Sequence, residues 1–78
     1  MTMLTISKDI PIVVDPEIMS GVPVFEGTRV PVAALLENLE AGLTLNEFLE
    51  NFPTVTREKA LRVLEHLRSE INDLSLAE

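Results

Sequence analysis

The spacing of the apolar residues changes once along this chain, from every second position to every third or fourth. Isoleucine or valine occupies alternate positions of residues 10–14, and a second apolar run, Val22–Phe25, is short and bounded by glycine and proline. Both patterns predict short β-strands. Because Pro11 has no N–H to donate, we expect the first strand at a sheet edge. From residue 31 onward the helical period predicts a mainly α-helical protein behind this short N-terminal β segment.

Signals for helix ends divide the second part of the chain into three helices. The first is predicted from about Pro31 to Ala41, with Pro31 in its first turn and Gly42 behind its last turn as a left-handed cap. The second starts at Thr44, whose hydroxyl can form a capping box with Glu47. Pro53 ends this helix, since the residue before a proline avoids the helical conformation.

The third helix is predicted to begin after Thr56 as its N-cap and carries the longest apolar seam. Leu61 and Val63 widen that seam, whose residues recur at spacings of four and three: Ala60, Leu64, Leu67, Ile71 and Leu74. The turns past about Ser69 project beyond a three-helix core. The apolar residues there therefore need either a second copy or another protein as a partner, and they are Ile71, Leu74 and Leu76. The alternative is a frayed, disordered tail.

The length of 78 residues predicts a single domain, 1–78. Within it, residues 10–30 form the β segment and a Gly/Pro-rich turn, residues 31–70 the helices, and residues 71–78 a C-terminal extension. A core of this size contributes only roughly 3–5 kcal/mol, and a chain without cysteine gains no disulfide. We therefore expect a homodimer or a higher homo-oligomer.

The chain has no apolar stretch near the ~20 residues that span a bilayer. Met1–Lys8 also lacks the charged start and long apolar stretch of a signal peptide. A cytoplasmic protein without a membrane partner is the expectation.

The residue types argue against catalysis. His66 is the single histidine, there is no cysteine, and the carboxylate pairs lie on helix faces predicted to be solvated. A carboxylate metal site needs several converging ligands, which this spacing does not indicate. We expect no enzymatic activity, no catalytic residue, no bound metal and no cofactor.

The segment Gly21–Gly27 is not a phosphate loop, because it lacks the Lys-Ser/Thr ending and the strand–loop–helix context. Thr28 and Arg29, just before a helix, can still bind an anion there. The other reading is structural: Thr28 satisfies open N–H groups of the first helix, and Arg29 pairs with an acid such as Glu26.

The net charge of −7 argues against nucleic acid, but the basic residues are concentrated in one segment. Residues 57–68 carry four of the six Lys and Arg side chains against two glutamates, a balance of +2. The second helix, the break and the third helix have the lengths of a helix-turn-helix, in which the second of the pair enters the major groove by its N-terminal residues. The candidate DNA-binding residues are Thr56, Arg57, Lys59, Arg62 and His66.

The alternative is a solvated helix on which Arg62 pairs with Glu58 and Glu65 at helical spacing. Two features count against DNA. The break Phe52–Val55 lacks the glycine of many such turns, and the rest of the chain is acidic.

One run is specific enough to suggest a family. It begins at Asp15-Pro16 and continues over residues 20–32 as Ser-Gly-Val-Pro-Val-Phe-Glu-Gly-Thr-Arg-Val-Pro-Val. This run resembles the signature of a small prokaryotic family known as domain of unknown function 433. Residues 41–53 and Thr56–Glu58 are similar to the rest of it, so the resemblance covers about residues 10–68. The positions that carry the motif are Gly21, Pro23, Gly27, Thr28, Arg29 and Pro31.

The resemblance implies a trihelical, homeodomain-like helix-turn-helix behind a short β segment. Members resemble VapB-type antitoxins, often encoded beside a PIN-like ribonuclease toxin that the antitoxin binds and blocks while the pair represses its own operon. An acidic, apolar extension over residues 71–78 suits a toxin-binding arm, and the basic stretch 57–68 suits operator DNA. The alternative is a non-catalytic adaptor or dimerisation module whose helix-turn-helix does not bind DNA.

Overall fold

A small antiparallel sheet precedes the helices. The computed structural model describes residues 4–7 and 10–74. Three strands in these residues pair in the order β1 (Leu4–Ser7), β2 (Ile10–Val14) and β3 (Val24–Phe25). The strands β2 and β3 are joined through the short 3-10 turn Met19–Gly21. The predicted strands are therefore present, and β1 is an additional strand that the sequence pattern did not predict.

The predicted edge position of the first strand is wrong, because β2 lies between β1 and β3. The backbone geometry explains how the sheet accepts Pro11 in a central strand. Between the pairs Thr5↔Val13 and Ser7↔Ile10, one residue of β1 faces two residues of β2, and one of those two is Pro11. Such a shift interrupts the ladder where the missing N–H would be needed. On the other side, the Pro11 carbonyl accepts a hydrogen bond from the Glu26 N–H at 2.9 Å.

The first helix, α1, spans Val32–Glu40, and Pro31 is its N-cap rather than part of its first turn. At the other end, Gly42 has φ +95°, as predicted for a left-handed cap. The Gly42 N–H donates to the Leu39 carbonyl and the Leu43 N–H to the Asn38 carbonyl, each at 3.0 Å. This pair of bonds is the Schellman arrangement, which satisfies carbonyls that the helix leaves open.

The predicted caps of the other two helices are confirmed. In front of α2 (Leu45–Asn51), the Thr44 N–H donates to Glu47 Oε1 at 2.8 Å and the Glu47 N–H donates to Thr44 Oγ1 at 3.1 Å. The helix ends two residues before Pro53, as predicted. In front of α3 (Arg57–Asn72), Thr56 Oγ1 accepts the Lys59 N–H at 3.2 Å.

The core lies between the sheet and the helices, with α3 packed against β2. Its aromatic centre is Phe48, whose ring centroid lies 6.1 Å from that of Phe25 and 4.9 Å from that of Phe52. The fully or almost fully buried members of the cluster are Ile12, Phe25, Val32, Leu35, Phe48, Val55, Ala60 and Val63. The strands β2 and β3 and the helices α1, α2 and α3 all contribute to this set, and Val55 contributes from the connection between α2 and α3.

The predicted seam of α3 needs one correction. Val63 is completely buried, whereas Leu61 is 43% exposed and does not belong to the core. About 100° of rotation separates consecutive helical residues, so Leu61 falls on the flank of α3 while Val63 follows Ala60 onto the buried face. On α1, Leu36 is likewise 36% exposed, because the buried stripe there runs through Val32 and Leu35.

The capping box gives a first testable prediction. Thr44→Ala removes the acceptor of the Glu47 N–H, and we expect a loss of about 1 kcal/mol in the free energy of unfolding. Thr54→Ala is the matched control, because Thr54 is exposed and its hydroxyl makes no hydrogen bond within residues 10–74. Urea denaturation followed by circular dichroism measures both. An equal loss in the two variants would contradict the capping role.

The assignment of the core gives a second prediction. Leu35→Ala at a completely buried position should cost about 2–5 kcal/mol, enough to unfold much of so small a domain. Leu61→Ala is the same substitution at an exposed position and should change stability by less than about 0.5 kcal/mol. Thermal unfolding of the two variants, measured side by side, would contradict this core if Leu61→Ala were the more damaging change.

Candidate functional site

The helices α2 and α3 are joined by the short connection that a helix-turn-helix requires. Residues 52–56 separate the two helices. Val55 is buried in this connection and its N–H donates to the Phe52 carbonyl at 3.0 Å. This anchor fixes the start of α3 relative to α2, so that Thr56 and Arg57 stand at the exposed N-terminus of α3.

Two of the candidate DNA-binding side chains form hydrogen bonds to other elements of the fold. The Arg57 guanidinium donates to Oδ1 of Asn46 on α2. Lys59 Nζ donates to the Glu26 carbonyl at 2.9 Å, in the turn behind β3. These contacts lie on opposite flanks of α3, because a helix turns about 200° between Arg57 and Lys59.

The other candidates are spread along α3. Arg62 is exposed, and Thr56 uses its hydroxyl as the helix cap. His66 is mostly buried and its Nε2 lies 3.6 Å from Glu70 Oε2, one turn further along. At about 100° per residue, the outermost face of α3 carries Glu58 and Glu65 together with Arg62. The candidate residues therefore do not form one continuous basic patch.

The turn behind β3 closes on itself through Thr28. The Thr28 hydroxyl donates to the Phe25 carbonyl at 2.8 Å and accepts the Val30 N–H at 3.0 Å, while the Phe25 N–H donates to the Val30 carbonyl at 3.0 Å. Gly27 takes φ +78° at the tip of this turn, a backbone conformation that side chains rarely allow.

The prediction that Thr28 satisfies N–H groups of the first helix is wrong. That helix begins four residues later, and the Val32 N–H donates to the Pro23 carbonyl at 2.9 Å. Arg29 is exposed, and within residues 10–74 it forms no ion pair with Glu26. Gly27 and Thr28 thus form a turn, and Lys59 on α3 donates a hydrogen bond to the Glu26 carbonyl of that turn. Beside the turn lies a cavity of about 820 Å³, with Thr28, Arg29, Val30 and Phe52 among its lining residues.

A second, mostly apolar depression lies between α1, α3 and the segment before β3. It has a volume of about 320 Å³ and is called the apolar groove below. Its lining residues are Ile12, Val22, Pro23, Val32, Ala33, Leu36, His66 and Leu67. The sequence pattern did not predict this groove, because its lining residues come from segments that are distant in sequence and the pattern at Val22 indicates only a strand.

Residues 70–74, which comprise the end of α3 and the two residues that follow it, are called the α3 end below. Ile71 is 65% exposed and Leu74 is 75% exposed, as expected because the apolar seam of α3 is longer than the core that covers it. The backbone stays helical to Asn72. Leu76 lies outside the described residues. The α3 end continues directly from Leu67, which lines the apolar groove one turn earlier.

None of the helices in residues 10–74 combines the length and the apolar character that crossing a bilayer requires.

Comparison with known proteins finds a curated relative and a solved structure that resemble this chain. The relative is Uncharacterized protein y4eO of Sinorhizobium fredii (strain NBRC 101917 / NGR234), 41% identical over 44 residues, which are 56% of this chain and 20% of that protein. This chain therefore matches about a fifth of the relative's length. The structure is the crystal structure of a DUF433 member protein from Anabaena variabilis ATCC 29413, with a TM-score of 0.67 and 24% identity. The match covers 85% of this chain and 64% of that one, and it shows a shared fold.

The resemblance of the Gly-Thr-Arg-Val-Pro run and of the helices behind it is confirmed. The sequence model of the family described as "Protein of unknown function (DUF433)" matches residues 12–67, from the central strand to the last packed turn of α3. The chain belongs to the DUF433 family.

Proposed function

We propose that this chain is the antitoxin-like component of a prokaryotic type II toxin–antitoxin module. In this role it is a non-catalytic protein that binds and neutralises a PIN-like ribonuclease toxin and contributes to operator DNA binding. The observation that carries the proposal is the α3 end, where the apolar face of a regular helix leaves the core with Ile71 and Leu74 exposed.

The energetics of the α3 end favour a partner. Burying an aliphatic side chain of this size contributes about 1.5–3 kcal/mol, and Ile71 and Leu74 obtain little of that within the domain. Both side chains point in the direction of the core face, because they follow Leu67 at spacings of four and seven. A partner that covers the α3 end therefore extends an existing core rather than building a new one. Recognition of this kind packs the apolar face of an amphipathic helix of one protein against an apolar surface of the other.

Operator binding is the second part of the proposal and has its own support. The short connection and the Thr56 cap present the N-terminus of α3 in the manner of a recognition helix. Arg57 is exposed there, although it also binds Asn46. The glutamates on the outer face of α3 oppose phosphate contacts, so we expect weak binding by the free protein and stronger binding when a partner adds positive charge.

The alternative function is an adaptor that binds proteins but not DNA. Glu58 and Glu65 on the outer face of α3 favour this alternative. So do the hydrogen bonds of Arg57 and Lys59 to other parts of the fold, because they use the donors that DNA would need. The toxin and the DNA parts of the proposal therefore need separate tests.

The toxin part is tested by co-expression with the product of the adjacent open reading frame. We expect that product to be toxic alone, and to be neutralised and co-purified with this chain. Ile71→Ser combined with Leu74→Ser should abolish both protection and co-purification, because it removes the exposed apolar face without touching the core. Leu61→Ser is the control, an exposed leucine on another flank of α3. A harmless neighbour, or full protection by the double variant, would contradict this part.

The DNA part is tested by a mobility shift on a duplex from the region upstream of the gene. Changing Arg57, Lys59 and Arg62 together to Gln should abolish the shift and leave the circular dichroism spectrum folded. The control is Arg68→Gln, which removes a charge away from the start of α3 and should weaken binding by only about tenfold or less at moderate salt. A shift that survives the triple change would contradict operator binding through α3.

A further inference from the structure

The α3 end is acidic as well as apolar. Glu70 and Asp73 lie beside Ile71 and Leu74, and the last turn of α3 contains no basic residue. A helix C-terminus carries a partial negative charge of its own, which a cation would offset. This end of the molecule therefore combines exposed apolar side chains with acidic side chains.

The acidic side chains lie on the same side of α3 as the apolar groove. At about 100° per residue, Glu70 and Asp73 fall on the flank that carries His66. His66 lines the groove, and its Nε2 lies 3.6 Å from Glu70 Oε2. The Glu70 side chain is 61% exposed, so its carboxylate is available at the rim of the groove.

The groove and the α3 end meet at Leu67. Leu67 lines the groove, and the exposed apolar side chains Ile71 and Leu74 follow it four and seven residues further along the chain. Seven positions separate Leu67 from Leu74, about 10 Å along the axis of α3, so this apolar stripe matches about two turns of a docked helix. The exposed side chains Val22 and Leu36 form the opposite wall.

We propose that this surface binds a cationic amphipathic helix of a partner protein. The apolar face of that helix lies on Leu67, Ile71 and Leu74, and its Lys or Arg side chains lie beside Glu70 and Asp73. The inference deepens the proposed function, since it gives the chemistry that the toxin would present at this site.

The charge of this surface favours a cationic helix over a second copy of the chain as its occupant. A second copy has a net charge of −7, so on average it brings further negative charge to a surface that carries Glu70 and Asp73. Like charges at close spacing destabilise such a contact, whereas a cationic helix gains attraction from the same residues.

The test uses two synthetic amphipathic helices with the same leucine face. One carries lysines beside the leucines, and its twin carries glutamates in their place. Isothermal titration of the full chain at about 50 mM salt should show the lysine peptide binding at least ~10-fold more tightly than its twin. The difference should shrink at about 500 mM salt, because exposed ion pairs are screened there.

Variants identify the surface. Ile71→Ser combined with Leu74→Ser should weaken the lysine peptide roughly 10-fold or more, and Val22→Ser should weaken it through the groove wall. Glu70→Gln combined with Asp73→Asn should remove the preference for lysine. The controls are Leu61→Ser and the pair Glu58→Gln with Glu65→Gln, which make the same chemical changes on other faces of α3.

Three results would overturn the inference. They are equal binding of the two peptides, no binding of either, and self-association of the free chain that is lost in the Ile71/Leu74 double variant. Light scattering of the free protein over a range of concentrations measures the last of these and would identify a second copy as the occupant.

The peptide test and the toxin test can fail separately. If the lysine peptide binds with this pattern while the neighbouring gene product is harmless, the proposed function fails and the surface assignment stands. If the neighbour is neutralised but the peptides are not distinguished, the toxin binds by other contacts and this inference fails.

Discussion

The packing of Phe48 against Phe25 and Phe52 lies at the centre of the core and joins β3 to α2, beside the contact of α3 with β2. These rings are the three aromatic side chains of the sequence, and they come from β3, α2 and the connection behind α2. Aromatic pairs at such separations contribute stabilising free energy beyond that of the surface area that they bury. Because β3 is only two residues long, its attachment to α2 through Phe25 holds the small sheet in place on the helices.

This arrangement divides α3 into two parts. The first part, from Arg57 to Leu67, packs on the core and is tied to its neighbours by Arg57–Asn46 and Lys59–Glu26 contacts. The second part, from Arg68 to the end of the helix, extends beyond the core with its apolar face uncovered. The family match ends at residue 67, at the boundary between the two. The packed part thus lies within the family match, and the projecting part lies beyond it.

The features that could be predicted from the sequence are those whose contacts are local. The capping box of Thr44 and Glu47, the cap of Thr56 and the left-handed Gly42 each depend on hydrogen bonds spanning three to five residues. Their residue types therefore specify them directly. The exposed Ile71 and Leu74 could also be predicted, because the apolar repeat is longer than a small core can cover.

The features that could not be predicted depend on contacts between distant residues. The central place of β2 follows from pairing with β1 and from a register shift that removes the need for a Pro11 N–H. The roles of Arg57 and Lys59 follow from partners 11 and 33 residues away. Adjacency in sequence suggests that Thr28 satisfies N–H groups of the first helix, whereas its hydroxyl closes the turn before that helix. The apolar groove likewise exists only once α1, α3 and Val22 are brought together.

The claim that matters most is that partner proteins bind at the α3 end and not at the start of α3. Amide hydrogen exchange of the chain, alone and in complex with the product of the adjacent gene, tests it most directly. We expect the complex to slow exchange in residues 68–74 and in the segments that line the apolar groove, while residues 56–62 exchange as in the free protein. Protection confined to residues 56–62, with the α3 end unchanged, would contradict this assignment.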